Sequence, residues 1–329
     1  MQYYRYKDDN HITCILCRHY CSLKEGGHGI CGINYNINSQ LINKVYAHPS
    51  AVHVDPIEKK PLYHFLPKSL SFSIGTVGCN FRCPFCQNYS ISQTSQVDES
   101  IVLEPAQAVE LALRYNCKSI SYTYNEPTIW YPYAKDIGVL AKEKGLKNVF
   151  VSSGYESSEV LADMPSWLDA ANIDLKSFSY DYYKKVLKTD LDGVLDSLVE
   201  FAKSPIWLEI TTLLIPGVND SNEEIEQMAE FIATKLGKDI PWHFSAFHPD
   251  YKMQDTPSTS IESLHRAEKI AQKHGIKYVY LGNVMTDGST YCPNCGTKLI
   301  ERLGFNAKLL HINAGKCDNC QEPIAGIWN

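Results

Sequence analysis

Between residues 69 and 285 short apolar runs alternate with amphipathic stretches in a steady rhythm. Residues 72–74, 119–123, 149–152, 172–175, 207–214, 243–247 and 278–281 read as strands; 105–115, 129–144, 157–163, 180–202, 221–236 and 260–274 have helical spacing. The capping residues agree with those boundaries: Ser221 precedes Glu223 and Glu224, and Gly145, Gly237 and Gly275 each close a helical stretch. Strand, helix, strand repeated about six times predicts parallel strands joined by right-handed crossovers, hence a complete or partial (β/α) barrel. A doubly wound open sheet is the competing architecture. Upstream, Ile37, Leu41, Val45, Val52 and Val54 alternate loosely and read as a strand or hairpin. Residues 55–65 are charged, aromatic and bounded by prolines, a composition that suits a solvated loop. The chain thus divides into an N-terminal segment (1–68), a central α/β domain (69–285) and a C-terminal module (286–329).

Composition adds little to this picture until the cysteines are placed. At 329 residues, 44% hydrophobic, 21% charged and with a net charge of -6, the chain has the make-up of an ordinary soluble domain with small appendages. No window of about eighteen apolar residues predicts a membrane span, and the mild acidity gives no electrostatic footprint for nucleic acid. The polar, aromatic start carries no secretory h-region, so the expected location is the cytoplasm. Of twelve cysteines, eleven fall into three tight groups and Cys117 stands apart as an ordinary buried thiol. Such grouping points to metals in a reducing compartment rather than to disulfides.

The first group, Cys14, Cys17, Cys21 and Cys31, is surrounded by glycines that let the backbone wrap an ion, and it reads as a closed metal site. Its spacing suits either zinc or a four-iron cluster, with His19 and His28 as bystanders. The last group, Cys292, Cys295, Cys317 and Cys320, consists of two C-x-x-C knuckles in a zinc-ribbon pattern, structural because four thiolates leave no open position. The middle group, Cys79, Cys83 and Cys86, is one thiol short of a closed site, so a coordination position is open for catalysis.

In a barrel, chemistry gathers where the strands end. Those ends carry the three-cysteine loop, then Tyr122 to Pro127, Ser152 to Tyr155, Asn172 to Lys176, Pro216 to Asp220, and His243 with His248 beyond. Singly these have plain structural explanations: Glu126 as a helix N-terminal acid, Asp174 and Lys176 as an ion pair, His243 as a core imidazole. Their joint position at one rim is what points to a ligand bearing both an amine and a carboxylate. The alternative is a non-catalytic iron–sulfur or zinc protein acting as electron carrier or binding module, favoured by the two four-cysteine ends.

The spacing Cys79-x3-Cys83-x2-Cys86, with aromatic Phe85 before the last thiol, resembles the signature of radical S-adenosylmethionine enzymes. In that superfamily the three thiolates hold a [4Fe-4S] cluster whose fourth iron chelates the methionine amine and carboxylate. One electron then cleaves the sulfonium to a 5′-deoxyadenosyl radical that abstracts hydrogen from substrate. The runs 55–65, 78–88, Tyr124-Asn125-Glu126-Pro127, Ile173-Asp174-Leu175-Lys176 and Trp242-His243-Phe244, with the terminal knuckles, resemble the radical enzyme of the AmmeMemoRadiSam system. That family is similar to pyruvate formate-lyase activating enzymes.

The resemblance implies a partial (β/α)6 TIM-type barrel and an oxidoreductase function, with the substrate open between a protein or peptide and a small metabolite. It also implies a one-electron donor such as flavodoxin or ferredoxin. By the same resemblance Glu126 holds the methionine amine, with Tyr124 and Asn125 standing where the superfamily commonly has two glycines. Ser153 faces the ribose or methionine, Asp174 and Lys176 bind the amine and carboxylate ends, His243 closes the far side and Phe85 flanks the adenine. Asp55, Glu58, Lys59 and Lys60 become lid residues.

Overall fold

The structure, a computed structural model, describes residues 2–8 and 10–328. Its centre is an eight-stranded sheet: β1 (Ala51–Pro56), β2 (Leu70–Gly75), β3 (Ser119–Tyr122), β4 (Lys147–Ser152), β5 (Ala170–Asp174), β6 (Trp207–Leu214), β7 (Trp242–Ala246) and β8 (Val279–Gly282). The strands neighbour one another in sequence order; β2 to β8 run parallel, and β1 lies antiparallel against β2. A doubly wound sheet reverses its strand order once, and this one never does. With parallel strands added in a single direction and right-handed crossovers the rule, the six connecting helices are expected on one side of the sheet.

The helices that connect β2 to β8 are α1 (Pro105–Arg114), α2 (Tyr131–Glu143), α3 (Ser158–Asp163), α4 (Leu191–Lys203), α5 (Asn222–Phe231) and α6 (Ile261–Lys273). Ser157, Asp190, Ser221 and Ser260 cap α3, α4, α5 and α6, each side chain accepting from a backbone N–H in the first turn. The stretch expected as one helix over 180–202 is broken. Lys188 enters the left-handed region at φ 63° and Asp190 restarts the helix, so only the second piece spans the sheet. Strand β3 is buried at every position, the mark of a parallel strand covered on both sides. Cys117, just before it, is buried as expected.

Of the strand or hairpin expected over 37–54, only the first part is a hairpin, Asn34–Ile37 paired with Gln40–Asn43 and turned by Asn38 and Ser39 at φ 53° and 59°, while Val52 and Val54 belong to β1. Before it, Tyr4–Asp8, His11–Cys14 and Ser22–Lys24 form a small antiparallel sheet. The connector after β1 departs from the solvated loop its composition suggested. Ile57, Glu58, Leu62, His64 and Phe65 are all buried. The C-terminal module covers it: the N–H of Leu66 donates to the Ile327 carbonyl, and the Ile327 N–H to the His64 carbonyl, both at 2.7 Å. That module holds the three-stranded sheet Thr290–Tyr291, Lys298–Leu303 and Asn306–Leu309, and a short ladder of Ile312–Asn313 with Lys316–Cys317. Among the described residues no helix is long and apolar enough to cross a membrane.

Candidate active site

Strand β2 ends at Gly75, and the chain turns through Thr76, Val77 and Gly78 into the cysteine loop. Gly78 has φ 88°, and a Cβ there would stand 2.7 Å from the Cys31 carbonyl, so glycine is needed both for the turn and for the approach of the N-terminal segment. Asn125 clamps the turn from the next strand. Its Nδ2 donates to Thr76 Oγ1 (3.0 Å), the Val77 carbonyl (3.3 Å) and the Gly78 carbonyl (2.9 Å), while its Oδ1 accepts from the Thr76 N–H (3.2 Å) and the Trp130 indole (3.2 Å). Beside it Tyr124 adopts φ 73°, a conformation glycine takes freely and tyrosine does not. Its hydroxyl donates to Asp55 at 2.6 Å.

A cavity of about 510 Å³ opens over the loop. It is lined by Cys79, Cys83, Cys86 and Phe85, and also by Glu126, Ser153, Asp174, Lys176 and His243. The nine residues expected around the cluster and its ligand therefore line one space, along with Glu58, Lys59 and Lys60; Asp55, the fourth expected lid residue, lies outside that lining. Its size lies in the range of ordinary small-molecule sites.

The polar wall is held by two carboxylate networks. Glu126 Oε1 accepts from the hydroxyls of Thr128 and Ser152, both at 2.8 Å, and Oε2 accepts from the Ser153 backbone N–H at 2.8 Å. Ser153 thus positions Glu126 through its main chain. Ser152 also lies 2.5 Å from Glu156 Oε1; burial first, then the Glu126 charge, push the Glu156 carboxyl up to about 7. Across the cavity Lys176 donates to Asp174 at 2.6 Å. Burial alone would lower the Lys176 ammonium, but Asp174 and the Cys83 sulfur outweigh it and hold it above its ordinary value.

His243 Nε2 lies 2.6 Å from Glu209, which also receives the backbone N–H groups of Tyr63 and His64. The imidazole is therefore oriented by the connector as well as by β7. Behind Lys59 and Lys60 of the lining, buried Asp55 accepts from both, at 2.9 and 2.7 Å. Burial would raise Asp55, but Lys60, Tyr124 and Lys59 outweigh it and hold it well below the usual carboxylate range. Glu58 does not join this pair. It points inward, accepting from the Lys68 N–H at 2.7 Å and facing Arg302 of the C-terminal module at 3.9 Å.

This donor set fits an iron–sulfur cluster carrying an amino-acid ligand. Three thiols line the cavity with no closed quartet, and carboxylates and an ammonium line the same space for an amine and a carboxylate. The C-terminal cysteines differ. All four sulfurs lie within 4.8 Å of one another, with Cys292 to Cys320 at 3.5 Å and Cys295 to Cys317 at 3.7 Å, the spread of ligands around a single ion. Asn125, Glu156 and Glu209 escaped sequence reasoning. For Asn125 the signal was present, in an amide standing where a glycine is usual.

Comparison with known proteins agrees with this geometry. Residues 73–232 match the family model of the Radical SAM superfamily. An uncharacterized protein of Methanocaldococcus jannaschii is 44% identical over 328 residues, covering 98% of this chain and 97% of that one. The pyruvate formate-lyase-activating enzyme of Clostridium pasteurianum is 20% identical over 205 residues, 58% of this chain and 86% of its own. A crystal structure of a radical SAM methyltransferase from Sphaerobacter thermophilus superposes with a TM-score of 0.54 at 15% identity, covering 85% of this chain and 77% of that one, a likeness of fold. The matched segment begins within β2 and contains the cysteine loop, Glu126, Ser153, Asp174 and Lys176, and the chain is an enzyme that belongs to the Radical SAM superfamily.

Proposed function

We propose that Cys79, Cys83 and Cys86 hold the [4Fe-4S] cluster, and that the cavity beside them seats S-adenosylmethionine for hydrogen abstraction from a protein or peptide, in the manner of glycyl-radical activating enzymes. The single observation that carries this reading is the cavity itself, which all nine expected site residues line. When bound, the cluster and S-adenosylmethionine supply reductive cleavage of the sulfonium to a 5′-deoxyadenosyl radical. The residues of this chain orient and enclose. Glu126, fixed by Thr128, Ser152 and the Ser153 N–H, accepts the ligand ammonium. Lys176, paired with Asp174, meets the carboxylate end; His243, held by Glu209, bounds the far side; Phe85 flanks the adenine. Asp55, Lys59, Lys60 and Tyr124 form a hydrogen-bonded brace at the cavity wall that limits water entry.

The finer parts of the reading are a partial barrel, zinc in the C-terminal quartet, membership of the AmmeMemoRadiSam system, a flavodoxin or ferredoxin as one-electron donor, and a cytoplasmic location. The uninterrupted strand order supports the first, and the 3.5 and 3.7 Å sulfur spacings support the second. Anaerobic reconstitution with iron and sulfide, followed by dithionite and S-adenosylmethionine, should release 5′-deoxyadenosine. A yield no higher than that of Cys83→Ala refutes the chemistry. Co-incubation with the partner protein should raise the yield further, and a rise with a small metabolite alone refutes the activating-enzyme reading.

A further inference from the structure

We propose that Cys14, Cys17, Cys21 and Cys31 hold a second iron–sulfur cluster, seated against the radical cluster as the entry point for its electron. The proposal rests on the reading of Cys79, Cys83 and Cys86 as a cluster site.

Each of the four sulfurs is met by an N–H donor. The backbone N–H of Leu16 serves Cys14, that of His19 serves Cys17 and that of Ile30 serves Cys21; Asn34 Nδ2 stands 3.5 Å from Cys31 Sγ. N–H donors directed at sulfur stabilise thiolates, and hydrogen bonds to sulfur are among the means by which proteins tune iron–sulfur clusters. As thiolates these four adjoining sulfurs, three of them buried, would repel one another, so it is a bound cation that would hold them in that form. Gly29 closes over the group, since a Cβ there would lie 3.5 Å from Cys31 Sγ and 3.6 Å from Cys21 Sγ.

The spread of the sulfurs separates iron from zinc. A tetrahedral zinc with bonds of about 2.3 Å holds its sulfurs about 3.8 Å apart. The C-terminal quartet meets that spacing, and among the described residues it is the group of three or more ligands that fits within 4.8 Å. Among the described residues no three of the N-terminal sulfurs fall within that limit of one another, and neither do those of Cys79, Cys83 and Cys86. Thiolates bound to different irons of one cluster need that wider cage.

Asn80 joins the two groups. It is fully buried; its Oδ1 lies 4.0 Å from Cys79 Sγ, and its amide nitrogen, without a conventional hydrogen-bond partner, is directed at Cys17. Arg82 binds the carbonyls of Cys79 (2.7 Å) and Phe81 (2.9 Å) and also that of Ile30, next to Cys31. Cys21 is the most exposed of the four thiols. A low-potential one-electron carrier of the ferredoxin or flavodoxin class would be oxidised at that edge, the N-terminal cluster reduced, and the same electron passed to the radical cluster, with no proton moved and no bond made.

The test is metal content and electron paramagnetic resonance after anaerobic reconstitution. Full-length protein should carry about eight irons and one zinc, and the triple variant Cys79→Ala, Cys83→Ala, Cys86→Ala should keep about four irons with a reducible cluster signal. About four irons and two zincs in the full-length protein, or zinc without iron at the N-terminal quartet of the triple variant, overturns the proposal. Fully reduced wild type should show spin–spin splitting that the triple variant lacks, and an unsplit spectrum overturns the contact between the clusters. Should the radical chemistry be absent, the triple variant still reports on the N-terminal quartet alone.

Discussion

Asn125 shows how one side chain sets the position of the cysteine loop. Its amide makes five hydrogen bonds, four of them to Thr76, Val77 and Gly78. Asn125→Ala leaves buried carbonyls unpaired, at a cost of about 2–4 kcal/mol, and frees the turn that aims Cys79. The expected result is a lower Tm together with loss of iron on gel filtration after reconstitution; unchanged iron retention would show that the turn holds without the clamp. The cysteines were legible because their chemistry depends on covalent spacing, which is written in the chain. Asn125 was not legible as a clamp, because its partners lie 47 to 49 residues away.

At the scale of elements, the connector between β1 and β2 departs furthest from its composition. Two of its charges are buried and face partners, Lys60 on Asp55 and Glu58 near Arg302, and the backbone of Tyr63 and His64 is held by Glu209. His64 is the element's acid-sensitive point. Burial lowers its imidazole from 6.5 to about 4, while its two nitrogens lie 2.6 Å from the Ala325 carbonyl and the Tyr280 hydroxyl. Between those pH values the unfolded chain binds a proton that the folded chain excludes, so the stabilisation is complete above pH 6.5 and is lost as pH falls toward 4. Full loss is about 3 kcal/mol. Urea midpoints between pH 7 and pH 4.5 should fall more steeply for wild type than for His64→Gln; parallel slopes would count against this role. The strands and helices of the sheet were legible because each buries a regular face. The connector was not, because a run of Lys, Glu and Pro gives no hint that another module will cover it.

For the whole molecule, Arg302 is the point where the C-terminal module holds the domain that carries the site. Its guanidinium is fully buried, donating to the Tyr63 carbonyl and Thr290 Oγ1, both at 2.6 Å, and facing Glu58. Arg302→Met strands Glu58 without a counter-charge and should cost about 3–5 kcal/mol. The measurement is thermal unfolding beside 5′-deoxyadenosine yield. Both should fall, since Tyr63 and Glu58 line the cavity, and a yield that survives a lowered Tm would separate the module from the site. By itself the sequence determined the repeating strand–helix order, the three cysteine groups and the polar residues at the strand ends, because periodicity and ligand spacing are local properties of the chain. Tertiary structure alone decided that the strands add in a single direction, that nine site residues share one cavity, and that the N-terminal thiols lie against the Cys79 to Cys86 loop. Those outcomes depend on contacts between segments far apart in the chain, which packing selects and local pattern does not encode.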